Sequence, residues 1–347
     1  MRNVRPIVFL AVVTPLVEFL TGSTSAIGVL TDPISAIVFV LLTLPGYILP
    51  VLLIREALVV WRKGLASLLP LGIAYGAVNE GLLAKTYFGV IPTSPVLGGG
   101  SGVGRWAGVN WPWVTEITLF HMVVSISVPI VLSFLLFPET RSTRFLTDRN
   151  VRGFLIVLLV EVFGLLTIEA LLSPTFRALV PWMLLPISII GAGIYIARHL
   201  ELPAVRRRLE GRWARPVPLL LASMGFFIVT FLPIIPFFPF PFTPLTFVNQ
   251  QFYRLGEVAA VLATVYPLVL GGVAIRFFLR YDLSETQVIA VTTGVMILPL
   301  ATAISIHDLP QGDLAAAAVY IGAIVVAWRR LRGRTGDHPF GPLGEPA

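Results

Sequence analysis

The sequence predicts an all-α, polytopic transmembrane helix bundle of about ten spans, with both termini in the cytoplasm. Three observations predict it. Hydrophobic residues make up 56% of the 347 residues and charged residues 12%, about half the charge that a soluble domain of ordinary composition carries. Apolar stretches of roughly 20 residues, enough to cross about 30 Å of hydrocarbon, recur ten times. The basic residues alternate between the two sides of those stretches, as the positive-inside rule requires.

The spans fall near 6–23, 34–58, 66–88, 113–137, 153–172, 179–199, 217–238, 257–279, 286–306 and 314–330, in one transmembrane domain over 1–334. The first follows Arg2 and Arg5 like a signal segment, but Pro15 and Glu18 and the lack of a small-residue cleavage site make it a span. The second is interrupted by Leu44-Pro45-Gly46-Tyr47 and Pro50. A small-residue helix leading into Asn79-Glu80 forms the third, and the fourth begins at a tryptophan-rich loop with Trp106, Trp111 and Trp113. The seventh should end near Pro233, where prolines 236, 239, 241 and 244 follow and the chain continues extended or re-entrant. The last runs into Arg329, Arg330, Arg332 and Arg334, and 335–347 form a disordered cytoplasmic tail.

With this assignment, 21 of the 25 arginines and lysines lie on one side, leaving only Lys85, Arg105, Arg177 and Arg254 opposite. A missed or invented span would mix the two sets from that point onward. The net charge of +7 therefore sets orientation against anionic lipid rather than implying a nucleic-acid partner. The cell membrane is the expected location. Zero cysteines exclude disulfides, thiolate metal sites and cysteine nucleophiles. The run Gly98-Gly99-Gly100-Ser101-Gly102-Val103-Gly104 lacks a preceding strand and a following Lys-Ser/Thr, so it is not a nucleotide loop. Nothing in the sequence indicates a particular cofactor or oligomeric state.

An ionisable side chain within a span costs at least about 2.5–3.5 kcal/mol on insertion scales, so each one needs a reason. The candidates are Glu18, Glu80, Lys85, Glu116, His121, Glu161 and Glu169, with Glu257, His307 and Asp308 at outer helix ends. Glu80 precedes Phe88 by eight residues and His121 follows Trp113 by eight, which puts both roughly 12 Å below the outer surface. Glu18 and Glu169 share that outer half, Glu116 and Glu257 sit nearer its rim as water-facing groups, and Glu161 lies toward the cytoplasm. An outward-facing polar cavity is the expectation. The alternative is a set of hydrogen-bonding anchors between helices, kept neutral by burial.

Residues 72–88, with Asn79-Glu80 and Lys85, resemble the first motif of the CAAX-processing and bacteriocin-processing intramembrane proteases. In that family a Glu-Glu-x-x-x-Arg helix precedes a Phe-x-x-x-His helix, for which Phe120-His121 stands here. The stretch from about 66 to 145 also resembles an uncharacterised prokaryotic membrane-protein family. Tyr75-Gly76, Glu80-Gly81-Leu82, Asn110-Trp111-Pro112-Trp113, and His121 through Val128-Pro129-Ile130 carry that likeness, which implies no activity.

Three functions follow. In an intramembrane hydrolase of a membrane peptide or lipid, Glu80 would be the base, His121 its partner and Asn79 an orienter, with Lys85 or Glu116 accessory. A metal would need a third ligand that Glu80 and His121 do not supply. In a proton- or cation-coupled transporter or channel, Glu18, Glu80 and Glu169 would be the coupling groups. Paired proline breaks in spans two and seven, at Pro45/Pro50 and Pro233/Pro236, point that way. In a membrane scaffold, the buried charges would only fix packing.

Overall fold

The computed structural model describes residues 4–20, 26–88, 104–172, 180–201, 206–231, 256–305 and 312–332. The proline segment after Phe231, most of the glycine run, Arg177, Arg254, His307, Asp308 and the tail lie outside the described residues. The helices are α1 (Val4–Val13), α2 (Val17–Leu20), α3 (Ala26–Thr31) and α4 (Pro33–Val60). Next come α5 (Leu65–Gly76), α6 (Trp111–Leu136), α7 (Asp148–Leu172) and α8 (Val180–His199). The last four are α9 (Pro216–Phe231), α10 (Glu257–Arg280), α11 (Glu285–Ser305) and α12 (Gly312–Arg332).

Each of the ten expected segments falls on helix over most of its described length. Among the described residues, six helices are long and apolar enough to cross a membrane: α4, α6, α7, α8, α10 and Leu314–Arg332 of α12. The chain is thus an all-α membrane helix bundle. Two further apolar helices, Pro216–Phe231 and Glu285–Ala301, are shorter.

Local chemistry sets the helix starts. The Asp32 carboxylate accepts from the Ser35 N–H at 2.8 Å and Pro33 opens the first turn of α4, a capped start that leaves fewer orphan donors. Asn110 caps α6 by accepting from the Trp113 N–H at 3.4 Å. It closes a hairpin of β1 (Arg105–Trp106) and β2 (Val109–Asn110). The hairpin turns through Ala107 (φ 54°) and Gly108 (φ 79°), the two left-handed residues of a type I′ turn. Trp106 Nε1 donates to Glu257 Oε2 at 2.9 Å, which ties this hairpin to the start of α10.

α6 is the centre of the bundle: 83% of its apolar window is buried, against 6% for α7 at the periphery. α5 lies along α6 at very short range. A Cβ placed on Gly72 would sit 2.8 Å from Met122 Cα, and one on Gly76 2.9 Å from Thr118 Cα. Two glycines four residues apart thus let the backbones touch, as small-residue motifs do in membrane helices. α9 packs along α11, and α10 along α6.

Three helices leave α geometry inside the bundle. α4 is π-helical over Phe39–Thr43, α5 continues as a π-helix over Ala77–Leu83, and α6 is π-helical over His121–Ser127. Such segments are rare and concentrate at functional sites.

At the arginine-rich ends, Arg55 is fully buried instead of facing headgroups as its place in the sequence suggests. Its guanidinium donates to Thr143 O at 2.6 Å and Thr140 O at 2.5 Å and lies 3.4 Å from the Phe145 ring centroid. Glu56 accepts from Arg144 Nε at 2.8 Å and from the Phe145 N–H at 2.9 Å. Together they clamp the short connection between α6 and α7. Glu56→Ala leaves Arg55 buried without its countercharge, and is expected to lower the unfolding free energy by about 3–5 kcal/mol. Denaturant titration in detergent micelles measures this.

Candidate functional site

The π-helical ends of α5 and α6 bring Asn79, Glu80 and His121 together. Glu80 Oε1 lies 2.7 Å from His121 Nε2, and Asn79 Nδ2 lies 3.2 Å from the same nitrogen. All three side chains are buried. The donor in the Glu80–His121 contact is set by the imidazole tautomer. In a low-dielectric interior such a hydrogen bond is strong and an unpaired charge is costly.

Hydroxyl groups complete the cluster. Thr86 Oγ1 donates to Glu80 Oε2. His121 Nδ1 faces Ser125 Oγ at 2.7 Å, one turn along α6, and this contact orients the ring. Tyr47, in α4, accepts from Asn79 Nδ2 at 3.4 Å and donates to Glu18 Oε1. The rings of Tyr47 and Tyr75 flank the imidazole at 6.2 and 5.5 Å between centroids. Glu18, in α2 and separated from Glu80 in the chain by α3 and α4, is therefore linked to it through one phenol and one amide.

The other ionisable groups take different places. Lys85 (φ 58°) follows the π-helical turn. Its ammonium bonds Glu169 Oε1 at 2.8 Å and Leu83 O at 2.9 Å. Lys85 and Glu169 thus form an ion pair between α5 and α7, apart from the Glu80–His121 contact. Glu116, expected at a water-facing rim, is 1% exposed, and neither carboxylate oxygen has a hydrogen-bond partner. The inward turn of α6 toward its tightly packed neighbours accounts for that difference. Glu161, expected to stand apart toward the cytoplasm, approaches the cluster instead. A Cβ on Gly46 would meet Glu161 Oε1 at 3.7 Å, and Gly46 adjoins Tyr47. Glu257 sits at the exposed rim, bonded to Trp106.

Sequence reasoning missed Tyr47, Thr86 and Ser125. The His-x-x-x-Ser spacing was a readable signal, because residues four apart share a helix face. The tyrosine after Pro45-Gly46 was a weaker one. Among the described residues no group of three histidines and carboxylates is placed to hold a metal ion. In this arrangement every polar atom of Glu80 and His121 has a partner, and the partners form a series: Glu18, Tyr47, Asn79, the Glu80–His121 pair, and Ser125 or Thr86 at its ends. Such a series can hold a proton at the Glu80–His121 contact; the Asn79 amide nitrogen donates on both sides and positions its neighbours without itself passing a proton.

The chain matches an uncharacterized membrane protein family over residues 8–335. No curated protein and no solved structure compared with the chain matches it.

Proposed function

Because the chain belongs to this uncharacterized membrane protein family, a description that names no activity, we propose from the site's geometry that it is a proton-coupled membrane transporter or channel. The Glu80–His121 pair is its proton-binding group. Glu18 and Tyr47 form the entry side of the path, and Glu161 and the Lys85–Glu169 pair flank it. In this reading all ten helical segments cross the cell membrane and both termini lie on the arginine-rich, cytoplasmic side.

The observation that carries the proposal is the buried contact between an acid and an imidazole, Glu80 Oε1 to His121 Nε2 at 2.7 Å, with the Glu18–Tyr47 pair joined to it through the Asn79 amide. Intramembrane acids and histidines linked in this way are the usual substance of proton relays. Proteoliposomes holding a pH dye, with an imposed membrane potential, test it. Proton entry should exceed that of protein-free vesicles. Tyr47→Phe, which removes one hydroxyl and little else, should lower it about tenfold, the factor that 1.4 kcal/mol makes in a rate. Entry no faster than through empty vesicles would overturn the reading.

One feature favours a second reading. The base, imidazole and amide meet at a single nitrogen, and a water in place of Thr86 at Glu80 Oε2 would be poised for hydrolysis of a membrane peptide or lipid. Cleavage of such a substrate that persists in both Glu80→Gln and His121→Ala would remove that reading.

A further inference from the structure

Behind the polar cluster, on the other face of α6, lies a cavity of about 300 Å³. It is lined by five helices, with Leu68 (α5), Met122 (α6), Phe226 (α9), Phe277 (α10) and Val291 (α11) among its lining residues. Its volume is at the lower end of ligand-sized pockets and would hold about ten waters. No hydroxyl in its wall has a hydrogen left to donate to them. The four hydroxyls that line it are each turned onto a backbone carbonyl: Ser127 to Met122 at 2.6 Å, Ser223 to Leu220 at 2.9 Å, Thr230 to Phe226 at 2.8 Å and Thr292 to Val288 at 2.9 Å. The rest of the wall is apolar side chain, so an apolar occupant fits it best. A polar solute or a string of waters does not fit this chemistry.

Position narrows it further. The cavity lies in the half of the bundle nearest the arginine-rich ends. Arg215 precedes the lining residue Leu219 by one helical turn, Arg276 falls between the lining residues Ala274 and Phe277, and Arg280 follows the lining residue Phe278 by two. All three arginines are exposed. Guanidinium groups at that level match phosphate oxygens in charge and geometry.

We propose that this cavity is a binding site for one acyl chain of an anionic phospholipid, taken from the leaflet on the arginine-rich side, with the headgroup phosphate held by Arg215, Arg276 and Arg280. The chain would lie against Met122 and Ser127, within the same π-helical segment whose opposite face carries His121 and Ser125. This assignment stands apart from the proton path and survives its failure.

The test uses the full chain reconstituted with phosphatidylglycerol bearing a photoreactive diazirine on its acyl chain, and peptide mass spectrometry of the adducts. Labelling should concentrate on Leu219–Phe231 and Gly271–Phe278. Excess unlabelled phosphatidylglycerol should suppress it at least fivefold, and phosphatidylcholine with the same chains should not. Ala222→Phe, which fills the cavity, should remove the adducts from both segments. Arg215→Gln with Arg280→Gln should abolish the preference over phosphatidylcholine. Labelling of the wild-type chain spread as strongly over the peripheral helix Asp148–Leu172 would overturn the proposal without recourse to any variant. Equal competition by phosphatidylcholine, or undiminished labelling of a folded Ala222→Phe protein, would also overturn it.

Discussion

Glu80→Gln is expected to reduce proton entry into proteoliposomes by at least about tenfold, a loss of 1.4 kcal/mol or more in the rate-limiting barrier. The substitution keeps the shape of the side chain but exchanges a proton-accepting oxygen for an amide nitrogen that donates only. Glu80 now receives a hydrogen bond from Thr86 at one oxygen and faces His121 and Asn79 at the other. The amide oxygen can still face His121 and Asn79 while its nitrogen donates to the Thr86 hydroxyl, which accepts as well as it donates, so the melting temperature should change little while the ionisable group is lost. Glu80→Asp retains an ionisable group one methylene short and should keep a measurable part of the flux. Full flux in Glu80→Gln would show that the pair only fastens α5 to α6.

Gly76→Val should produce the largest structural effect. Its first added carbon would lie 2.9 Å from Thr118 Cα and 3.1 Å from Thr118 O, and backbone atoms cannot rotate aside as a side chain can. The two helices must separate, losing contacts along the whole α5–α6 seam. Overpacking costs about 1–3 kcal/mol where side chains give way, and the upper end or beyond is expected where the obstacle is backbone. Because Glu80 lies four residues beyond Gly76, the same separation pulls it from His121. Gly76→Val should therefore lower both the melting temperature and the flux, whereas Gly164→Val should change neither, because nothing lies within 4 Å of a Cβ there. Thermal unfolding in detergent and the pH-dye assay measure the two effects on the same preparations.

Much of the fold was legible because membrane burial acts on composition. A lipid-facing surface needs no charge, so apolar segments and the arginine alternation can be read directly from the chain. Counting 1.5 Å per residue from Phe88 and Trp113 put Glu80 and His121 at one depth, and their side chains meet at 2.7 Å. Depth carries no azimuth, however, and azimuth decided the rest. Glu116 has the right height for a rim but faces inward, while Glu161 comes near Gly46 of α4. The π-helical segments shift every later side chain around the axis, and they arise from packing between helices, which a single sequence does not display. Arg55 was counted among the orienting charges, yet it is a buried clamp, because the connection from α6 folds back over it. The Gly72-x-x-x-Gly76 spacing was there to be read as a contact surface.

The sparse burial of α7 has a kinetic consequence. Of its 25 residues only Val162 is buried, while Glu161 and Glu169 both ride on it. A helix so lightly attached can detach in part without disturbing the core, since local opening costs scale with the contacts it breaks. Amide exchange along Asp148–Leu172 should therefore run ahead of exchange in Trp111–Leu136. Each excursion would bare the acidic cluster sideways to lipid, giving it a route of approach within the plane of the bilayer.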